Sequence, residues 1–146
     1  MKDTQKQSRY VEWLNSDEMH NKSKEWLSEL KFIKDEHLFF EDLIKSYTLE
    51  LLDPQKYVHN KEIIVAINKS KKRNNLLIEA IKVHKNKLQI MVDNKDQPKE
   101  EEAYKKEHLD LIIEFSEFEK KYRTLKIQLF DIIKTIKKHK KQRLLT

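Results

Sequence analysis

Between residues 26 and 51 apolar side chains recur in alternating steps of four and three: Trp26, Leu30, Ile33, Phe40, Ile44, Tyr47 and Leu51, with His37 holding one place in the series. Such steps line one face of an α-helix, whereas a strand changes face at every residue. Flanking Leu27, Leu38, Leu43 and Leu52 widen the stripe beyond a two-stranded coiled-coil seam, toward the broader face that a bundle helix buries. A second series reads Ile63, Ile67, Ser70, Asn74, Leu77, Ile81, His84, Leu88 and Met91, with polar residues in its middle. The third is the most regular: Tyr104, His108, Leu111, Phe115, Phe118, Tyr122, Leu125, Leu129, Ile132 and Ile136.

Two breaks separate these series. Asp53-Pro54 is read as both a stop and a start, because proline cannot continue the first helix while an aspartate cap followed by proline at the first helical position opens the next. The polar run from Asp93 to Pro98 is the second break. Asn15, Ser16 and Asp17 offer capping side chains for the first helix. The pattern thus predicts helices over about 17–52, 54–94 and 98–143. Tyr10, Trp13 and Leu14 share a helical face and predict a short extra helix before them. Glu100, Glu101 and Glu102 at the start of the third helix and lysines at its end carry the signs that a helix dipole favours.

Short connections make neighbouring helices antiparallel, and a repeat near 3.5 residues implies a left-handed supercoil. The expected fold is all-α: one domain over residues 1–146, an elongated antiparallel three-helix bundle running up-down-up with coiled-coil-like packing. A helical hairpin that dimerises into a six-helix assembly satisfies the same pattern.

Composition agrees. The chain has no glycine and two prolines, too little turn chemistry for a sandwich, a barrel or an α/β fold. A charged fraction of 38% suits long helices, while six Phe, five Tyr and two Trp argue against disorder. Without cysteine there is no disulfide, no thiolate nucleophile and no cysteine-based zinc site. The first nine residues lack the apolar core of a signal peptide, and no stretch reaches the length of a membrane span, so a soluble cytoplasmic protein is expected.

The net charge of +6 is unevenly spread. Residues 132–146 carry six basic groups and no acid, which matches the whole excess. Lys137, Lys138, Lys140, Lys141 and Arg143 form a basic patch within the expected overhang, residues 137–146, beyond the last apolar position. Such a run either completes the helix dipole in solvent or meets nucleic acid or an acidic protein. No aromatic side chain is interleaved there for base stacking. Lys69, Lys71, Lys72 and Arg73 make a second basic cluster.

Tight turns would place residues at one level when their numbers sum to about 107 for the first two helices and about 193 for the last two. His37, Ser70, Asn74 and Tyr122 then share a level and predict a buried polar layer that fixes register, as a buried asparagine does in coiled coils. His84 and His108 are also brought level, with Glu107 or Glu101 nearby, but the Glu-x-x-His pairs of a di-metal bundle are missing because residue 105 is Lys and residue 81 is Ile. No metal, no cofactor and no catalytic residue is expected, since there is no nucleophile elbow and no glycine-rich phosphate loop. The functional expectation is a non-enzymatic helical interaction or scaffold protein with a protein partner, homodimerisation being one route. The alternative is a nucleic-acid-binding accessory protein that uses the basic tail.

Overall fold

A computed structural model of the chain describes residues 14–93 and 98–145. The short helix expected around Tyr10 and Trp13 lies outside the described residues, as do residues 94–97 of the second break. The fold is all-α, and among the described residues there is no strand. Among the described residues four helices follow one another: α1 (Ser16–Ser46), α2 (Thr48–Leu51), α3 (Tyr57–Asp93) and α4 (Pro98–Leu145).

Helix α1 begins where Asn15, in extended backbone, accepts the Glu18 amide on its side chain at 2.9 Å, with Asp17 and Glu18 in the first turn. The expected single helix to residue 52 is corrected: the regular helix stops at Ser46, and a separate turn, α2, carries the chain to Leu51. No proline or glycine causes the stop. The Thr48 hydroxyl instead donates to the carbonyls of Ile44 and Lys45 at 3.0 and 2.9 Å, a local alternative to the helix ladder.

The Asp53-Pro54 boundary is also corrected in detail. Asp53 does accept a backbone amide on its side chain, from Gln55 at 3.1 Å, but it closes a turn rather than capping a helix. Helix α3 starts at Tyr57 instead of Pro54, with the Asn60 amide bonded to the Lys56 carbonyl at 3.0 Å. The buried Asn60 side chain reaches back to the Leu51 carbonyl at 3.1 Å and ties the two elements together. Helix α4 starts at Pro98 and continues past residue 143 to Leu145.

Contacts between helices follow a consistent order. As numbers rise along α1 and α2 they fall along α3: Leu30 meets Asn74, His37 meets Ser70, and Leu51 meets Asn60. Between α3 and α4 His84 meets His108, and Arg73 meets Glu114 at 3.7 Å. Between α1 and α4 the numbers rise together, from Trp26 with His108, through Glu36 with Tyr122, to Glu50 of α2 with Lys140. Helix α3 is the common support, while contact between α1 and α4 is sparse. The main apolar cluster runs along all three long helices, from Leu27 and Leu30 through Ile67, Leu77, Phe115 and Phe118 to Leu129 and Ile133. A smaller one joins Leu14 and Met19 to Leu88 and Ile112. Two expected positions change side: Leu38 and Leu52 do not widen the buried stripe but stand in solvent.

Candidate functional site

Three places hold polar or titratable groups in an organised form. The first is the level of His37, where burial lowers the imidazole pKa and keeps the ring neutral. His37 Nδ1–H donates to the Ile33 carbonyl at 2.8 Å, one helical turn back, which leaves Nε2 to accept from the Ser70 hydroxyl at 3.0 Å. The Tyr122 ring lies beside the imidazole, with centroids 5.0 Å apart. Its hydroxyl turns outward to Glu36 at 2.8 Å, and Lys126 closes on the other oxygen of the same carboxylate. Burial, and then the bond to Glu36, raise the Tyr122 pKa and keep the phenol protonated.

The four residues assigned to a polar layer are all buried, but they do not form one network. His37 and Ser70 are hydrogen-bonded, and Tyr122 meets His37 through its ring. Asn74 lies a turn away from Ser70, where Nδ2 donates to the Leu30 carbonyl at 3.0 Å, and its Oδ1 has no hydrogen-bond partner among the described residues.

The second place is a chain of three groups between α3 and α4. Glu107 accepts from His84 Nδ1–H at 2.7 Å, and the opposite nitrogen, His84 Nε2, lies 2.9 Å from His108 Nδ1. A carboxylate can only accept, so a neutral His84 must present a lone pair at Nε2, and His108 Nδ1–H donates to it. The proton-free Nε2 of His108 is then buried with no partner among the described residues. Trp26 stacks on this ring at 4.6 Å and completes the enclosure. Burial, and then the neighbouring His84, lower the His108 pKa to about 3, and burial also lowers that of His84 against the pull of Glu107. Burial pushes the Glu107 carboxyl up, yet hydrogen bonds from His84 and from Lys87, the latter at 3.2 Å, outweigh it and hold the group below its usual range. Glu101, the other carboxylate weighed for this pair, is half-buried in the first turn of α4, and the carboxylate that bonds to His84 is Glu107. Among the described residues no group of three His, Cys, Asp or Glu side chains is placed to hold a metal ion.

The third place is a groove of about 790 Å³ where α2 and the following turn face the last turns of α4. Glu50, Asp53 and Asp131 line it together with Lys56, Lys140, His59 and His139. Charges of both signs neutralise one another there, and Lys140 pairs with Glu50 while lying 5.0 Å over the Tyr47 ring. The expected basic overhang is therefore partly docked: Lys140 leans on Tyr47 and on Glu50 of α2, while Lys137, Lys138, Lys141 and Arg143 are exposed on the same helix. In the second basic cluster, Lys71 pairs with Glu41 and Arg73 with Glu114.

The heptad reading missed a set of large apolar side chains that remain in solvent. Phe32 and Phe39 stand seven residues apart on α1, and Phe32 lines a groove of about 460 Å³ shared with Tyr122 and Lys126 of α4. Val58, Val65, Leu76, Val83 and Ile90 stand on α3, all 41% or more exposed. Their signal was present in the sequence as a second spacing of seven beside the buried seam. No helix among the described residues is long and apolar enough to cross a membrane. No known family matches the chain, and no curated protein or solved structure resembles it significantly.

Proposed function

We propose that the protein is a non-enzymatic helical interaction module, an up-down-up three-helix bundle with left-handed coiled-coil packing that offers its outer helix faces to protein partners. The observation that carries this reading is the pair of exposed heptad-spaced apolar rows, Phe32 with Phe39 on α1 and Val58 to Ile90 on α3. Single exposed apolar residues are ordinary, but rows at helical spacing on outward faces are how one helix receives another. The interior supports it by contrast, because His37, His84 and His108 are fully buried and hydrogen-bonded to other helices of the fold.

The test is co-purification from the native host. A protein retained by the natural chain, lost with Phe32→Ser/Phe39→Ser and kept when residues 137–146 are deleted supports the module. The second reading, a nucleic-acid accessory protein, is favoured by the exposed Lys137, Lys138 and Lys141. It requires nucleic acid that is released by moderate salt and lost on that deletion, and this result would displace the first reading.

A further inference from the structure

The outer face of α3 is more than an apolar row. Counted in heptads, it has two columns three residues apart: Glu62, Lys69, Leu76, Val83 and Ile90 in one, Val58, Val65, Lys72, Glu79 and Asn86 in the other. All ten side chains are exposed, and they lie together on one narrow strip of the helix surface. These are the two positions that a coiled-coil seam uses, a second seam pointing away from the one buried against α1 and α4.

This strip is complementary to itself. When a second copy of the strip is laid antiparallel with its midpoint at the level of residue 74, one column faces the other. Val58 then meets Ile90, Glu62 meets Asn86, Val65 meets Val83, Lys69 meets Glu79, and Leu76 meets the aliphatic stem of Lys72. The twofold axis produces each of these layers twice. Other arrangements are worse. A parallel pairing puts Lys69 on Lys69 and Glu79 on Glu79. A shift by one heptad one way puts Glu62 on Glu79 and Lys69 on Lys72, and the other way sets Leu76 on Glu79 and Val83 on Lys72, which separates the charges from their partners.

We infer that α3 pairs with α3 of a second copy of this chain, antiparallel and centred on residue 74, through this ten-residue strip. The inference rests on the interaction-module reading above and names one partner and one surface for it. At about 1.5 Å per residue the strip from Val58 to Ile90 is about 50 Å long. About 10 Å of width gives on the order of 500 Å² per copy, about 1,000 Å² in all, the size of a weak, transient interface rather than of a permanent one. The pairing is therefore reversible and concentration-dependent, with apolar layers at both ends for affinity and the two Lys69–Glu79 layers near the middle for register. Glu79 also meets Lys82 on its own helix at 3.7 Å, an exposed pair that can share the carboxylate with the incoming lysine.

Charge reversal on the full chain tests this, read by sedimentation velocity from micromolar to submillimolar concentration. The natural chain is expected to pass from monomer to dimer. Lys69→Glu alone sets carboxylates face to face, Glu79→Lys alone sets ammonium groups face to face, and each is expected to weaken pairing about tenfold or more. The double variant Lys69→Glu/Glu79→Lys restores the layers in reverse and regains affinity, and a mixture of the two single variants forms mixed dimers. Val83→Asp, at an exposed position, is an independent break, with helicity by circular dichroism unchanged. A natural chain that stays monomeric, or a dimer indifferent to these reversals, would overturn the inference. A monomeric result leaves the Phe32 and Phe39 face to its own co-purification test.

Discussion

At the residue scale, the interior polar groups differ in how well they are satisfied, and the difference should be measurable. Among the described residues Ser70 is the hydrogen-bond partner of His37 Nε2, so Ser70→Ala strands a buried imidazole nitrogen and is expected to cost about 1–3 kcal/mol. Asn74 is the reverse case. Its Oδ1 is already unpartnered, and Asn74→Leu removes a buried acceptor while adding apolar surface, so the melting temperature is expected to hold or rise. Urea titration of both variants checks the order, and an Asn74→Leu chain less stable than Ser70→Ala would contradict it. The buried histidines set the acid limit. His84 and His108 are held neutral by burial, so their folded pKa values lie below the ordinary 6.5. The unfolded chain therefore binds the extra protons, and stability falls as pH drops from 6.5 toward the His108 value of about 3. Each histidine kept neutral contributes a slope of up to about 1.4 kcal/mol per pH unit, and Glu107, lowered as well, adds loss of the same sign at the acid end. His108→Phe preserves a ring for Trp26 to stack on and is expected to flatten the profile of melting temperature against pH. An unchanged slope would remove His108 from the cause. The meeting of His37 with Ser70 and of His84 with His108 was legible in the numbering, because tight turns and regular helices conserve level. The separate fate of Asn74 and the link from Tyr122 to Glu36 were not, because side-chain direction within a level depends on rotation about the helix axis, which spacing alone leaves open.

At the scale of the elements, the three long apolar series became α1, α3 and α4 because their spacing holds over many turns. Their ends were less legible. The stop at Ser46 depends on Thr48 Oγ1 choosing local carbonyls, a competition that hydrophobic periodicity does not register. The start at Tyr57 follows because Asp53 and Pro54 spend their turn-forming capacity on a β-turn, leaving Lys56 to accept the first bond of α3. Asn60 holds this corner, and Asn60→Ala would leave the Leu51 carbonyl without the side-chain donor that covers it. The expected result is a loss of about 1–3 kcal/mol together with faster hydrogen exchange over residues 48–60, ahead of the rest of the chain. Uniform acceleration along α1 and α3 would mean that the corner carries no local stability of its own.

At the scale of the whole molecule, charge and apolar surface are divided between the helices. Helix α3 supports α1 and α4 on its inner side and keeps an ordered strip on its outer side, while the lysines of α4 extend beyond Ile136 and turn back in part through Lys140 and Glu50. The outer strip was hidden in the sequence because its five apolar residues are outnumbered by the buried seam and interrupted by Lys69, Lys72 and Glu79. Burial separated the two seams. The chain has no cysteine, so a single spin label can be placed at will, and distances between labels on two copies report the register of α3 on α3 directly. In an antiparallel pair centred on residue 74, labels at Asn75 are offset by only about two residues and sit roughly 10–15 Å apart, whereas labels at Gln89 are about 45 Å apart. That short and long pair of distances, by dipolar electron spin resonance at high protein concentration, is the expected result. Two short distances, or no dipolar coupling from either site, would contradict the assignment of this face to a second copy.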